Sequence, residues 1–355
     1  MQKKRTVKAS SKNSPSNLEQ HFFEVSSMIL EARRTAYRKV DAVLVELYWT
    51  IGGYISAKVA SSEWGEGTVD QLAEYLFNAI PDSRGFNRRS LYRMKQFYDA
   101  YSRNEKVSAV RTQISWTIHR IILSKTKLPE EREFYIDYAI QQKVTSRELE
   151  HQISSCLYER TITDTPKLST VLRQIHPVAE TIFRDSYTLD FLGLSTGHCE
   201  YDLRKGIVGS LKHFLIEFGR DFAFVGEEYR LQVGMQDFFV DLLFYHRELQ
   251  CLVAFELKVD DFKPEYLGKL SFYLEALDCD VKKPHEKPSI GIILCKGKDA
   301  EVVEYALART TSPAAIAEYA TKLPDKKLLQ SKLHEFFDSS VREIKADRGL
   351  NGWTG

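Results

Sequence analysis

No apolar run in the 355-residue chain approaches the roughly 20 residues that span a bilayer, and no signal-peptide pattern opens it. A membrane protein is therefore not expected, and the compartment implied is the cytoplasm. Cysteine is scarce and badly spaced for metal. Cys156, Cys199, Cys251, Cys279 and Cys295 form no CxxC pair, so no zinc site is implied. Residues 251, 279 and 295 lie in or beside apolar runs and read as reduced core cysteines. An excess of one charge is also missing: 50 Lys+Arg against 49 Asp+Glu leave a net charge of +1. No global field draws the protein to nucleic acid, so a binding surface must come from local clustering. Internal repeats and low-complexity blocks are absent as well.

The chain is too long for the commonest single-core domain, and a hydrophobic content of 43% suits a globular protein, so two domains are expected. Met1–Asn17 is polar and basic and reads as a tail. From Leu18 to about Arg160 the periodicity is helical throughout. A long helix covers about Leu18–Ala60 and shorter ones Val69–Ile80, Arg88–Tyr101 and Glu130–Gln142. Asn87 is placed to cap the third, and Thr145-x-x-Glu148 is a capping box for a helix running to about Glu159. Residues 161–175 read as a linker, and 176–345 as an α/β domain in which strands and helices alternate. There a helix over Glu200–Phe218 precedes strands at Phe222–Val225, Tyr229–Val233, Phe238–Tyr245 and Cys251–Lys258. Further helices are expected at Pro264–Leu277, Asp299–Arg309 and Asp325–Ile344, with a strand at Ser289–Cys295.

Two of these strands carry charges that need a reason. FFVDLLFY holds Asp241, and CLVAFELK ends in Glu256 and Lys258. Strands this apolar are normally buried on both faces, where an unpaired charge costs several kcal/mol. Glu256 and Lys258 point the same way, being two apart. A five-residue connection, His246–Gln250, would set Phe255 opposite Asp241, so a bulge or strong twist is expected to bring Glu256 round. Two carboxylates and a lysine at one spot suit Mg²⁺ and an attacking water. A cross-strand ion pair at a sheet edge explains the same three residues equally well.

Arg84, Arg88, Arg89, Arg93 and Lys95 cluster from the turn at residues 81–86 into the third helix, against Asp82 and Asp99. Leu91, Met94, Tyr98 and Tyr101 form that helix's apolar stripe, leaving Arg89, Arg93 and Gln96 to face outward. A capped helix with arginines in its first turns fits a recognition helix in a DNA groove, in a helix-turn-helix-like arrangement. A solvated basic face on an ordinary bundle fits too. Trp49, Trp64 and Trp116 are expected in the core, and His21 and His119 have no partner at metal spacing.

Several segments together resemble the YhcG-like family of PD-(D/E)XK nuclease proteins. They include GFNRRSLYRMKQFYDAY, ISWTIH, EREFYIDYA, SRELEHQISSCLYER, VDLLFYHRELQCLVAFELK, FKPEYLGKLSFYLEALD and IGIILCK. The resemblance runs from about Glu31 to Tyr319. It implies an all-helical, DNA-binding N-terminal domain followed by a restriction-endonuclease-like α/β domain with a mixed central sheet. Asp241, Glu256 and Lys258 fall on the family's catalytic positions, with Asp241 and Glu256 as ligands of Mg²⁺ (or Mn²⁺) and the Leu257 carbonyl a further ligand. A glutamate from the first helix is expected to join them, Glu200 being favoured over Glu217. The implied partner is nucleic acid, DNA first, and the implied product carries a 5′-phosphate; a homodimer is compatible with the sequence. Two positions depart from the pattern, where Lys269 and Glu228 stand for glutamines. Catalytically silent DNA binding, or recruitment of a partner protein, is the rival reading.

Overall fold

The structure, a computed structural model, describes residues 15–333 except 66, 81–84, 196, 330 and 332; within helices the side chains at 15–24, 33, 34, 37 and 38 are also outside the description. Arg84, His21, most of the basic tail and most of the expected last helix fall outside it. The chain divides at Gln141/Gln142 into two compact units.

The first unit is helical. Its elements are α1 (Pro15–Ala60), α2 (Thr68–Ala79), α3 (Arg88–Tyr101), α4 (Glu105–Val110), α5 (Trp116–Lys125) and α6 (Pro129–Gln142). Asn87 caps α3 as expected, its side chain accepting from the Ser90 N–H at 3.0 Å. Leu91, Met94, Phe97 and Tyr101 are the buried face of α3, so Phe97 takes the place expected for Tyr98. The helix packs closely on α1 because α1 carries Gly52 and Gly53. A Cβ at Gly52 would strike the Met94 carbonyl, and one at Gly53 the Tyr98 ring. Trp49, Trp64 and Trp116 all make ring contacts in this core, and His119 stacks obliquely on Phe97.

The second unit begins with α7 (Ser146–Ser154), which carries the expected capping box. The helix does not continue to Glu159. Cys156 takes a left-handed conformation (φ 54°) and starts α8 (Leu157–Thr163) in a new direction. The stretch 161–175, expected as a linker, holds the end of α8, strand β1 (Lys167–Leu168) and α9 (Thr170–Ile175). Then come α10 (Ala179–Ile182), β2 (Ser186–Thr188), α11 (Glu200–Gly209) and α12 (Leu211–Phe218). The single helix expected over Glu200–Phe218 is thus two, broken at Ser210. Conversely, the two strands expected before Val233 are one, β3 (Phe222–Val233), interrupted by a bulge between Phe224 and Gly226. The remaining elements are β4 (Gln236–His246), β5 (Cys251–Leu257), α13 (Glu265–Asp280), β6 (Ile290–Cys295), α14 (Ala300–Ala308) and β7 (Ala314–Ala320).

The sheet is mixed, in the order β1-β7-β6-β5-β4-β3, with β2 also pairing β7. β3, β4 and β5 are antiparallel, while β5, β6 and β7 run parallel. Period-two alternation sends Leu242, Phe244, Val253, Phe255 and Leu257 to one face, against Leu203, Ile207, Phe214 and Phe218 of α11 and α12. Leu243, Leu252, Ala254 and Ile293 go to the other, against Leu267, Leu270, Leu274 and Leu277 of α13. Every residue of β5 is buried, as a strand covered by helices on both sides must be.

All five cysteines are free thiols. Cys156, Cys251 and Cys295 are buried, but Cys279, expected in the core, is exposed on α13 together with Cys199 at the start of α11. Among the described residues no helix is long and apolar enough to cross a membrane.

Candidate active site

The β4–β5 hairpin brings the acidic residues together without any bulge. His246 is not part of the turn, as expected from sequence, but pairs with Cys251, and its Nδ1 accepts from the Leu249 N–H at 3.2 Å. The connection is therefore four residues, and the register shifts by one from the expected pairing. Leu242 lies opposite Phe255, and the next step along that ladder sets Asp241 level with Glu256. On the other side, Glu227 pairs with Leu242 and Tyr229 with Val240, so Glu228 comes level with Asp241. Three acids from three strands thus lie in one row at one end of the sheet.

Each acid has a cationic neighbour. The Leu257 N–H donates to Asp241 Oδ2 at 2.8 Å, and an Arg204 NH1 group donates to Oδ1 at 3.4 Å. Arg204 also reaches Glu228 Oε1, at 2.8 Å. Glu256 is completely buried, and its Oε1 takes two ammonium groups, Lys269 Nζ at 2.6 Å and Lys258 Nζ at 3.0 Å. Lys258 Nζ further donates to Glu200 Oε1 at 2.9 Å and to the Leu257 carbonyl at 3.0 Å, and lies 5.2 Å from the Tyr266 ring centroid. Among the described residues Glu256 Oε2 has no hydrogen-bond partner.

The electrostatics follow from that geometry. Burial, reinforced by the Glu256 charge, raises the Asp241 carboxyl above its usual range against the opposing Leu257 N–H and lysines. Burial works to lower Lys258, but hydrogen bonds and charge from Glu200 and Glu256 outweigh it and hold the ammonium above its ordinary value. Lys269 is raised in the same way by Glu256, against its partial burial.

The donor set fits a hard divalent cation in one respect and is thin in another. A buried carboxylate oxygen with an unused lone pair beside a second carboxylate is what Mg²⁺ requires of a protein, since the ion keeps several waters. Among the described residues, however, no group of three or more His, Cys, Asp or Glu side chains stands at metal-binding spacing. The Leu257 carbonyl, expected as a further ligand, accepts from Lys258.

Of the first-helix candidates, Glu200 at the start of α11 joins the site through Lys258, while Glu217 does not. Glu217 is buried against Arg160 (3.1 Å), accepts from the Thr188 N–H at 2.8 Å and from Gln152 at 3.0 Å, and is a structural ion pair. Arg204 was not anticipated. Its signal was available, since it follows Glu200 by one helical turn and shares its face.

In the first unit Arg88, Arg89 and Arg93 line one open groove with Tyr92 and Gln96. Arg88 is paired with Asp70 at 2.6 Å. Among the described residues neither Arg89 nor Arg93 has a carboxylate partner, and partial burial together with Arg120 and Arg89 lowers the Arg93 guanidinium. Lys95 is engaged in an i,i+4 pair with Asp99.

The mixed sheet sandwiched by helices, with Asp241, Glu256 and Lys258 at one end, defines a PD-(D/E)XK nuclease-fold domain behind a helical N-terminal region. Residues 24–160 match the DUF1016 N-terminal domain and residues 180–334 the YhcG PDDEXK nuclease domain. A protein of Escherichia coli (strain K12), "Putative nuclease YhcG", is 30% identical over 344 residues, covering 86% of this chain and 91% of that one. The chain belongs to this YhcG family of PD-(D/E)XK nuclease-domain proteins. Among solved structures, a repair endonuclease from Pyrococcus abyssi aligns at a TM-score of 0.25 and 15% identity, over 37% of this chain and 50% of that one. The EndoMS–dsDNA2 complex aligns at 0.20 and 16%, over 30% and 38%.

Proposed function

We propose that the protein is a metal-dependent nuclease of the cytoplasm that hydrolyses phosphodiester bonds of DNA. The observation that carries the reading is the convergence of Asp241, Glu256 and Lys258, with Glu256 Oε2 buried and unpartnered. Asp241 and Glu256 Oε2 would hold Mg²⁺ or Mn²⁺. The ion would polarise the scissile phosphate and lower the pKa of an attacking water. Lys258, fixed by Glu200 and the Leu257 carbonyl, orients that water and offsets charge building on phosphorus. Glu200 acts as a positioning residue for Lys258. Arg204 steadies Asp241 and Glu228 at the β3 side of the row.

Arg88, Arg89 and Arg93 are our proposed DNA contacts in the first unit; the two without carboxylate partners are the stronger candidates. Lys95, engaged with Asp99, contributes less than its sequence position suggested. Replacing Arg89 and Arg93 with alanine should weaken DNA binding and reduce the slope of log K against log salt by about 0.9 per lost contact.

A silent scaffold is the second reading. Two lysines already neutralise Glu256 Oε1, which a stably metal-free site would also show. Cleavage of duplex, single-stranded and branched DNA and of RNA, with Mg²⁺, Mn²⁺ or EDTA, separates the two. The nuclease reading expects metal-dependent cutting lost in both Asp241→Ala and Lys258→Ala. No cutting, with DNA binding intact in wild type and variants alike, supports the silent scaffold instead.

A further inference from the structure

The pleat of β4 turns over beside the catalytic row. Leu242 packs among the side chains of α11 and α12, yet Val240 and Phe238, at even spacing from it, pack on the α13 side. The cause lies on the neighbouring strand, where Glu228, level with Asp241, takes a left-handed conformation (φ 45°). Asp241 is reached from α11, by Arg204. Phe239, two residues along the strand from Asp241, shares that side at a distance of about 7 Å. Because β5 ends at Leu257, level with Val240, the β3–β4 ribbon projects past the catalytic end of the central strand. Packing on α13 covers one face of the ribbon through Leu231, Phe238 and Val240. The other face is open, and Arg230, Gln232, Asp237 and Phe239 are exposed on it.

One exposed phenylalanine is ordinary on a protein surface. This one is set apart by where it stands. Its neighbour Phe238 closes on the Phe272 ring at 4.6 Å. Phe239 is 49% exposed, and among the described residues it meets no other ring. From α11, Tyr201 is 56% exposed and has the Arg204 guanidinium 5.7 Å from its ring centroid. The same guanidinium donates to Asp241. Open aromatic rings thus approach the Asp241 carboxylate from the strand and from the helix. Across the ladder from Phe239 is Arg230, paired with Asp237 at 2.9 Å and still exposed. A flat apolar ring at this place matches the face of a nucleobase. In continuous duplex each base face is covered by its neighbours and the grooves show only edges, whereas an unpaired nucleotide offers its face. Resting on the nuclease reading above, we infer that Phe239 stacks on an unpaired base flanking the scissile phosphate. The substrate is then single-stranded DNA, or the unpaired part of a branched one, and not uninterrupted duplex.

The test titrates the full chain, in EDTA so that nothing is cut, with an oligo-dA strand and with a blunt duplex of the same length. Phe239→Trp turns the position into a reporter. Its fluorescence, above that of the native tryptophans, should be quenched by the strand and not by the duplex. Phe239→Ala should bind the strand about five- to 150-fold more weakly, with duplex affinity unchanged, while Phe239→Trp binds the strand as wild type does. Phe239 is half exposed, so circular dichroism should show both variants folded. An unquenched indole, or a Phe239→Ala variant that keeps its strand affinity or loses strand and duplex affinity equally, overturns the inference. Cleavage of the same DNAs in Mg²⁺ is read separately. A wild type that cuts neither would sink the nuclease reading, while the quench, measured without metal, would still establish the stacking.

Discussion

Glu256 concentrates the tension of the site in one side chain. It is completely buried in the central strand, yet one oxygen carries two ammonium groups and the other, among the described residues, has no partner. An acceptor buried without a partner costs about 1–3 kcal/mol, a cost that a bound cation would remove. In the metal site proposed above, Lys269 is the competing cation. It lies 2.6 Å from Glu256 Oε1 while remaining half exposed. Its positive charge competes with a divalent ion for the same carboxylate. Lys269→Gln should therefore tighten Mg²⁺ binding by about five- to tenfold, measured calorimetrically without DNA. Equal affinities in the two proteins would show that Lys269 does not compete.

Helices α7, α8 and α12 are tied by a polar knot whose strength the sequence does not advertise. Arg160 donates to the Ser155 and Ser186 carbonyls and to Glu217, and Glu217 also takes the Thr188 N–H and Gln152. Opposing Arg160 and Arg184 charges, with these hydrogen bonds, hold the Glu217 carboxyl below its usual range in spite of complete burial. Breaking such a pair from one side strands the other charge, at about 3–5 kcal/mol. Arg160→Met should accordingly lower the unfolding free energy of the second unit by that order, read from urea melts. The double variant Arg160→Met, Glu217→Leu should recover much of the loss, because it removes both charges together. This knot also explains why the compact units divide at Gln141/Gln142, ahead of α7 and α8.

Both units contain a histidine that folding forces to remain neutral. Burial pushes His119 in the first unit down to about 4, and does the same to His246 in the second. An exposed histidine in the unfolded chain titrates near 6.5. Above that value neither state binds a proton and the histidines leave stability unaffected. As pH falls from about 6.5 to about 4, the unfolded chain takes up protons that the fold excludes. Stability then drops, on the order of 3 kcal/mol per histidine by the lower limit. Thermal melts across this window should show the loss, and His119→Gln should flatten the pH slope of the first unit alone. A slope unchanged by that substitution would mean that His119 is protonated in the fold.

Periodicity and composition by themselves determined the two-part plan. Helical spacing to residue 160 and buried apolar strands after it are properties of local sequence, because side-chain burial sets them residue by residue. The caps at Asn87 and Thr145 were legible for the same reason: the donor and acceptor lie three residues apart. So were Asp241, Glu256 and Lys258, since charge in an apolar strand is visible without coordinates. The sequence did not reveal β7, whose alanine-rich run has weak strand preference and is held by pairing with β6. Nor did it reveal the break at Ser210 or the left-handed turn at Cys156, which depend on what each helix packs against. The register of the β4–β5 hairpin was settled only when His246 paired with Cys251, because one residue in or out of the turn moves every later side chain by a step. That step put Glu256 level with Asp241, and tertiary packing of α11 and α13 then delivered Glu200, Arg204 and Lys269 to the same place.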